Sequence, residues 1–176
     1  MSPAQPPAHP TAWTVRPLRA TDLPALMRVQ VAAYGEGLVE PAAVQAQRLR
    51  EAPDTVWGAF RDRQLGAYLM AYRTRSDAIG ALHQGFAPDP QGNTLYLHDL
   101  AVHPEAAGQG LGSQLVAHAL AHAQALGLQQ LNLVAVQGSQ GFWQAHGWAV
   151  LAAPPAQAVQ ALASYGPGAQ VLTRPA

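Results

Sequence analysis

Residues 97–113 have the sequence LHDLAVHPEAAGQGLGS. The longer segment from Thr94 to His103 is rich in Leu, Tyr and Val on both faces, which predicts a central strand buried on both sides. Glycines at positions 108, 110 and 112 then form a turn. Leucine and alanine recur at helical spacing until about Gly127, and an apolar strand follows at 131–136. The stretch therefore predicts a strand, a glycine turn, a helix and a second strand.

The remaining elements predict a mixed sheet. A right-handed strand–helix–strand connection makes its two strands parallel, so we expect parallel pairing in the second half of the chain. Strands at 55–61 and 64–72 flank a tight turn and predict an antiparallel hairpin. Further predicted elements are strands at 13–18, 148–151 and 169–173 and helices at about 22–34, 41–51, 139–145 and 155–163. The expected fold class is α/β (α+β): a mixed, mostly antiparallel sheet with a central parallel βαβ unit and helices on both faces.

Charge and residue types exclude several kinds of function. The 176 residues include ten basic and ten acidic side chains, so no strong field exists to hold nucleic acid or an anionic membrane. The lack of cysteine excludes disulfides, thiolate metal sites and a cysteine nucleophile. All ten basic residues are arginine, which also excludes a P-loop lysine and Schiff-base chemistry.

The beginning of the chain does not have the pattern of a targeting signal. Residues 1–12 are rich in proline and alanine but lack the charged and apolar regions of a signal peptide, and we expect a disordered leader. No run of about 18 apolar residues is present to span a bilayer. We expect one cytoplasmic domain over residues 13–176.

The glycine turn predicts an anion site. Glycine lets the backbone approach a ligand closely, and the N–H groups that begin the next helix attract phosphate. Residues 106–173 carry no charged side chain, so backbone N–H groups, hydroxyls or imidazoles would hold that anion. A turn that needs glycine only for its shape is the alternative interpretation.

Two familiar phosphate motifs fit poorly. A Walker A loop requires Gly-Lys-Ser/Thr, which the chain lacks. The dinucleotide fingerprint has G-x-G-x-x-G and an acidic residue about 20 positions later, whereas this turn has G-x-G-x-G and no acidic residue follows between 106 and 173. A dinucleotide-binding module is therefore the weaker alternative.

The motifs resemble the GNAT superfamily of acetyl-CoA-dependent N-acetyltransferases. The resemblance rests on residues 97–112, on FWQAHGW at 142–148 and on VRPLRATDL at 15–23, and it covers about residues 13–152. It implies the GNAT (acyl-CoA N-acyltransferase) fold, in which the central strand and the next parallel strand splay apart around the pantetheine of acetyl-CoA. By this resemblance the cofactor-binding residues are Leu100, Ala101, Val102, Ala107, Gly108, Gln109, Gly110, Leu111, Gly112, Ser113, Ser139, Phe142 and Trp143.

Two positions depart from the family pattern. Ala107 stands where the family has Arg or Gln, which implies weaker binding of coenzyme A through backbone donors alone. Trp143 stands where the family often has the tyrosine that protonates the leaving thiolate. An indole N–H donates a hydrogen bond but does not give up its proton near neutral pH, so the proton must come from water or another group.

Asp99 and His98 are the candidate catalytic residues. Acyl transfer to an amine requires an acceptor for the amine proton, and burial within the strand would raise the pKa of Asp99 toward a useful range. Adjacent strand residues point to opposite faces unless a bulge intervenes, so His98 would face away from Asp99. A structural carboxylate and a packed imidazole are the alternatives for these two residues.

The sequence gives fewer indications of the residues that bind the acceptor. Candidate substrate-binding residues are Tyr34, Glu36 and Tyr96, with Glu40 beside them, and a solvated loop is the alternative for those between the first two helices. His83 and Phe86 are weaker candidates to cover the same pocket. His118 and His122 have the i, i+4 spacing of a metal pair but lack the glutamate of a metalloprotease, so we expect core-edge packing and no metal. His146 is expected to be structural.

The predicted function is transfer of an acetyl group from acetyl-CoA to a primary amine of a small molecule or peptide. Without a cysteine for a covalent intermediate, we expect direct transfer in a ternary complex. A non-catalytic acyl-CoA-binding domain of the same fold is the main alternative. Exposed strands of such sheets often pair, which leaves a homodimer open.

Overall fold

The structure is a computed structural model that describes residues 12–176. The leader expected at 1–12 lies outside the described residues except for Ala12. Within them, seven strands form one sheet in the spatial order β1-β2-β3-β4-β5-β7-β6. The strands are β1 (Thr14–Pro17), β2 (Val56–Arg61), β3 (Gln64–Thr74), β4 (Thr94–Val102), β5 (Gln130–Ala135), β6 (Ala149–Val150) and β7 (Gln170–Pro175).

Helices cover both faces of this sheet. They are α1 (Leu23–Ala33), α2 (Ala42–Glu51), α3 (Leu111–Ala125), α4 (Gln140–Ala145) and α5 (Ala156–Ala163). On one face Leu115 of α3 belongs to a core cluster with the sheet, and on the other face Leu26 of α1 and Leu49 of α2 belong to a second cluster. Among residues 12–176, no helix has both the length and the hydrophobicity needed to cross a bilayer.

The sheet is mixed, as the sequence predicts, but parallel pairing is confined to one pair of strands. β4 and β5 are parallel, whereas β7 pairs antiparallel with both β5 and β6. The expectation of a parallel second half is therefore wrong for these outer pairs. β6 keeps the direction of β5, as a helical crossover requires, but β7 inserts between them and runs the opposite way.

β4 and β5 separate after a short paired stretch. Their partners run only from Thr94 with Gln130 to Leu97 with Leu133. Beyond that point β4 continues to Val102, paired on its other side with β3. The separation leaves a gap in the middle of the sheet, next to the glycine turn.

Candidate active site

A cavity of about 200 Å³ opens where β4 and β5 separate. β4 forms one wall, and the end of β5 with the start of α4 forms the other. Its far end is closed by the segment between α1 and α2, by Leu82 of the loop before β4, and by Tyr165 after α5. Residues from six separate parts of the chain therefore meet at one opening in the sheet.

A bulge in β4 brings both candidate catalytic residues to this cavity. Asp99 pairs with Met70 and Leu97 pairs with Ala71, so His98 is the extra residue in the ladder. An extra residue interrupts the alternation of side chains between the two faces. His98 and Asp99 consequently both line the cavity, and the expectation that His98 points to the opposite face is wrong.

Asp99 is hydrogen-bonded at both carboxylate oxygens. The hydroxyl of Tyr34 donates to Oδ1 at 2.6 Å, and the hydroxyl of Tyr68 donates to Oδ2 at 2.6 Å. The Tyr34 oxygen also lies 2.8 Å from the carbonyl oxygen of Leu100. Tyr68 is fully buried and itself accepts a hydrogen bond from Nε2 of Gln30 at 3.4 Å.

The surroundings of Asp99 raise its pKa. Burial raises the pKa of Asp99 above its ordinary value of 3.8, while the hydrogen bonds from Tyr34 and Tyr68 oppose that rise. Burial, with a further contribution from the charge of Asp99, raises the pKa of Tyr34 well above 10. A carboxyl group with a raised pKa in a cavity can serve as a general base.

His98 is buried and faces a carboxylate. Its Nε2 lies 3.4 Å from Oε2 of Glu40 but makes no hydrogen bond within the described residues. Its Nδ1 lies 3.5 Å from the hydroxyl of Tyr165. Burial lowers the pKa of His98 below its ordinary value of 6.5, against the raising effect of Glu40.

Glu40 lines the cavity and forms a buried ion pair with Arg48. The two terminal guanidinium nitrogens of Arg48 donate to the Glu40 carboxylate, one of them at 2.7 Å. Burial acts to raise the pKa of Glu40, but contacts with His98 and Arg48 outweigh it and hold that pKa well below 4.5. The remaining hydrogen bonds of the pair hold the loop before β4: Glu40 accepts from the N–H of His83, and Arg48 donates to the carbonyl of Gln84.

The free edge of β4 presents backbone groups to the gap. The N–H of His103 donates to the carbonyl of Gly66 on β3 at 2.8 Å. Because alternate residues of an antiparallel strand face the same neighbour, Ala101 also faces β3, whereas Leu100 and Val102 face the gap. Leu100, Ala101 and Val102 were all predicted to bind the cofactor. Ala101 does not face the gap, because it is buried and its backbone pairs with β3.

The glycine turn forms an open rim between β4 and α3. Gly108 and Gly110 have φ angles of +75° and +74°, which favour glycine, and a Cβ at either position would meet nothing within 4 Å. Gly110 is the N-cap of α3 and has no side chain to cap the N–H groups of the first turn, at residues 111–113. Leu111 is buried, so only its backbone faces the rim.

The other turn residues have side-chain partners. Gln109 accepts a hydrogen bond from Nε1 of Trp13 at 2.8 Å. The hydroxyl of Ser113 lies 3.0 Å from Nε2 of His146, whose Nδ1 contacts the Phe142 carbonyl at 2.8 Å. His146 therefore joins the start of α3 to α4, which is consistent with the structural role expected for it. Ala107 is exposed at the beginning of the turn.

The start of α4 forms the wall opposite β4. Ser139, Phe142 and Trp143 all line the cavity. Trp143 is buried and packs edge-on against Trp148, with ring centroids 5.2 Å apart. The Phe142 ring lies over Gly112, where a Cβ would be 3.4 Å from it, an ordinary van der Waals contact.

Two of the predicted substrate contacts, and one of the residues expected to cover the pocket, are not at the cavity surface. Glu36 is exposed in a short 3₁₀ turn and does not line the cavity. Tyr96 is buried beneath it, with its hydroxyl 3.3 Å from the Gly80 carbonyl oxygen. Phe86 stacks on Tyr72, with centroids 4.4 Å apart, whereas Leu82 of the same loop lines the cavity. Tyr34, in contrast, lines the cavity beside Asp99.

His118 and His122 pack against the core residue Trp57. Both rings lie edge-on to Trp57, with centroid distances of 5.0 and 5.2 Å. Burial lowers the pKa of His118 below 6.5. Among residues 12–176, no group of three or more His, Cys, Asp or Glu side chains is placed to hold a metal.

Sequence reasoning missed several residues of the site, notably Tyr68, Arg48 and Tyr165. Tyr68 lies in the apolar run of β3 and has the appearance of a core residue. A buried tyrosine nevertheless requires a hydrogen-bond partner for its hydroxyl, and this requirement could have indicated from the sequence that Tyr68 contacts a polar group. Which acceptor Tyr68 would meet depends on the pairing of β3 with β4.

The comparison with protein families gives one match. The model of the Acetyltransferase (GNAT) family matches residues 23–148. No curated protein matches this chain in sequence at a significant level.

Several solved structures share the fold. The GphF GNAT-like decarboxylase in complex with isobutyryl-CoA is 21% identical, has a TM-score of 0.75, and the match covers 92% of this chain and 98% of that one. The loading GNATL domain of CurA from Lyngbya majuscula is 17% identical and has a TM-score of 0.72, and the match covers 93% of this chain and 96% of that one. The ribosomal-protein-S18-alanine N-acetyltransferase from Escherichia coli is 16% identical and has a TM-score of 0.65, and the match covers 93% of this chain and 94% of that one. At these identities the likeness establishes the fold.

Proposed function

Because this chain belongs to the GNAT family of acetyltransferases, we propose that it moves an acetyl group from acetyl-CoA to the primary amine of a small molecule or peptide. Family membership supports acyl transfer in general. The observation that carries the finer proposal is the gap between β4 and β5, where β4 continues beyond its pairing with β5 and its backbone adjoins the carboxyl group of Asp99.

The residues present fit a coenzyme A group. The N–H groups at 111–113 and the open glycine rim are suited to a diphosphate, because uncapped N–H groups at a helix N-terminus attract anions. Leu100 and Val102 on one side of the gap, and Ser139 and Phe142 on the other, would hold the pantetheine arm. Acetyl-CoA supplies an acetyl thioester, which is activated toward attack by an amine. The structural relative GphF was solved with an acyl-CoA.

Asp99 is the group that would accept the amine proton. Its carboxyl lines the cavity, and its pKa is raised by burial. His98 is the second candidate base: its Nε2 lacks a hydrogen-bond partner within the described residues, and burial lowers its pKa, which favours the neutral imidazole. Direct transfer needs only one such acceptor, together with N–H donors aimed at the thioester oxygen.

The cavity favours a small acceptor of low charge. Of the two carboxylates that line it, Glu40 is neutralised by Arg48, which leaves Asp99 as the charged group facing the amine. Leu38, Leu82 and Leu97 contribute apolar surface to the cavity lining. A volume of about 200 Å³ suits a short amine or a single terminal residue of a peptide.

Two measurements test the proposal. Isothermal titration of the folded protein with acetyl-CoA must show binding; no binding at millimolar ligand would refute it. Release of free thiol over a panel of amines, amino acids and peptides must then fall by about 10²–10⁴-fold in Asp99→Asn or in His98→Ala. Asp54→Asn, which removes an exposed carboxylate, is the matched control and should retain full turnover.

A second candidate is decarboxylation of a carboxyacyl-CoA. The apolar side chains of Leu38, Leu82 and Leu97 in the cavity lining favour it, because a carboxylate loses CO₂ more readily when it is desolvated. The hydroxyl of Tyr34 could stabilise the resulting enolate. Release of CO₂ from malonyl-CoA without an amine would support this reaction. Binding of acetyl-CoA with neither thiol release nor CO₂ release would indicate a non-catalytic acyl-CoA-binding domain.

A further inference from the structure

One hydroxyl group in the cavity lies between two acceptors. The Tyr34 oxygen is 2.6 Å from Oδ1 of Asp99 and 2.8 Å from the carbonyl oxygen of Leu100. A tyrosine hydroxyl has one hydrogen, so it can donate fully to only one of the two. Which acceptor receives that hydrogen depends on the charge of Asp99.

The other oxygen of Asp99 does not compete for this choice. Oδ2 accepts from Tyr68 at 2.6 Å, and Tyr68 in turn accepts from Gln30. The side-chain oxygen of Gln30 accepts from the backbone N–H of Glu40 at 2.6 Å. This buried chain of donors fixes the direction of the Tyr68 hydrogen bond toward Oδ2 and leaves Oδ1 as the position where a proton can be gained or lost.

The hydrogen bonds can be counted in each state. When Asp99 is ionised, Tyr34 donates to Oδ1 and the Leu100 carbonyl loses its donor. When Asp99 carries a proton on Oδ1, that proton bonds to the Tyr34 oxygen, and Tyr34 donates to Leu100. We propose that Tyr34 is a two-position proton relay, which connects Asp99 to the side of the cavity where the carbonyl of Leu100 lies.

The relay supplies the proton donor that the sequence lacks at Trp143. This deepening rests on the proposed acetyl transfer. The amine nitrogen bonds to the thioester carbon and its proton passes to Oδ1 of Asp99. As the C–S bond breaks, its electron pair goes to sulfur, which takes the hydroxyl proton of Tyr34 while Asp99 returns its proton to the Tyr34 oxygen. The products are the N-acetyl amine and the free thiol of coenzyme A.

The transfer must be concerted at Tyr34. Burial and the neighbouring Asp99 raise the pKa of Tyr34 well above 10, so a free tyrosinate is unfavourable. Asp99 therefore donates its proton to the Tyr34 oxygen as the hydroxyl proton of Tyr34 leaves. Tyr34 lines the same cavity as Ser139 and Trp143, which lie on the wall opposite β4. The Tyr34 hydroxyl therefore shares this cavity with the site proposed for the thiol end of the pantetheine arm.

Tyr68 gives a matched control within the same site. Tyr34→Phe and Tyr68→Phe each remove one 2.6 Å hydrogen bond to Asp99. Tyr68 is fully buried and does not line the cavity. If Tyr34 only positions Asp99, the two substitutions should have equal effects. If Tyr34 is the relay, they should differ.

The first test needs no substrate. In the free protein, labelled with ¹³C at leucine carbonyls and aspartate Cγ, the Leu100 carbonyl shift should titrate with the midpoint of Asp99. Tyr68→Phe should retain this response, and Tyr34→Phe should lose most of it. An equal response in all three proteins would reflect only the field of the Asp99 charge and would overturn the relay.

The second test is kinetic. With acetyl-CoA and an accepted amine, Tyr34→Phe should lower kcat by at least about 100-fold, with the KM for acetyl-CoA within threefold, while Tyr68→Phe should lower kcat by less than tenfold. Equal losses would overturn the role of Tyr34 in turnover. If the wild type transfers no acetyl group but the carbonyl response follows Tyr34, the relay stands and the proposed function fails.

Discussion

Arg48 and Glu40 form a two-pronged ion pair in which neither side chain is more than 2% exposed. Both residues also bond to the loop before β4, through the carbonyl of Gln84 and the N–H of His83. The same loop places Leu82 against the cavity. The pair therefore holds one end of the candidate active site in place.

Removing one charge of this pair should destabilise the protein strongly. Glu40→Gln leaves the buried Arg48 without a counter-charge, and we expect a loss of about 3–5 kcal/mol in the free energy of unfolding. Chemical denaturation measures it. In the control Asp77→Asn, the partner is Arg75, the two side chains are 51% and 74% exposed, and the loss should stay below about 1 kcal/mol. Similar losses in both variants would show that the buried pair is not structural.

Ionised Asp99 should cost stability. Its pKa is higher in the folded chain than in the unfolded chain, so the folded state is penalised as pH rises from 3.8 through the raised folded value. The stability of Asp99→Asn relative to the wild type should therefore increase across that interval and then level off. Thermal unfolding at a series of pH values measures it. A relative stability that does not change with pH would mean that the pKa of Asp99 is not raised.

The glycine rim should tolerate no side chain without loss of coenzyme binding. Gly108→Ala and Gly110→Ala place Ala at φ near +75°, which costs about 1–2 kcal/mol of stability. Because that strain moves the N–H groups that would face the diphosphate, we also expect at least about tenfold weaker binding of coenzyme A by titration calorimetry.

Gly127→Ala is the control for the effect of strain alone. Gly127 has a φ of +65° and follows the other end of α3. That end is about 20 Å from the glycine rim, given a rise of about 1.5 Å per residue. The control should lose comparable stability and keep its affinity. Weaker binding in all three variants would place the diphosphate elsewhere.

A cation at position 107 should strengthen binding. Ala107 is exposed at the beginning of the turn, and we expect Ala107→Arg to bind coenzyme A about tenfold more tightly in low salt, because charge-assisted hydrogen bonds to phosphate add about 1.5 kcal/mol. The gain should shrink as ionic strength rises. Ala107→Glu should bind more weakly than the wild type. Equal affinities in all three proteins would contradict a phosphate beside the turn.

Local patterns were sufficient for the elements that frame the site. The strand, glycine turn and helix at 94–125 depend on residue types within one short stretch, and the mixed sheet with its parallel βαβ unit was predicted from them and is confirmed. The outer strand order was not predictable in this way, because nothing in the neighbourhood of β7 indicates that it inserts between β5 and β6.

The sequence by itself determined which residue types could carry the chemistry: the adjacent imidazole and carboxylate of His98 and Asp99 in the strand before a glycine turn, with no lysine or cysteine in the chain. Only the tertiary structure decided how they act. The bulge that turns His98 toward Asp99 arises from the register of β4 against β3. The hydroxyls of Tyr34 and Tyr68 reach Asp99 across 65 and 31 residues of chain. Such contacts depend on strand pairing and helix packing, which no local pattern specifies.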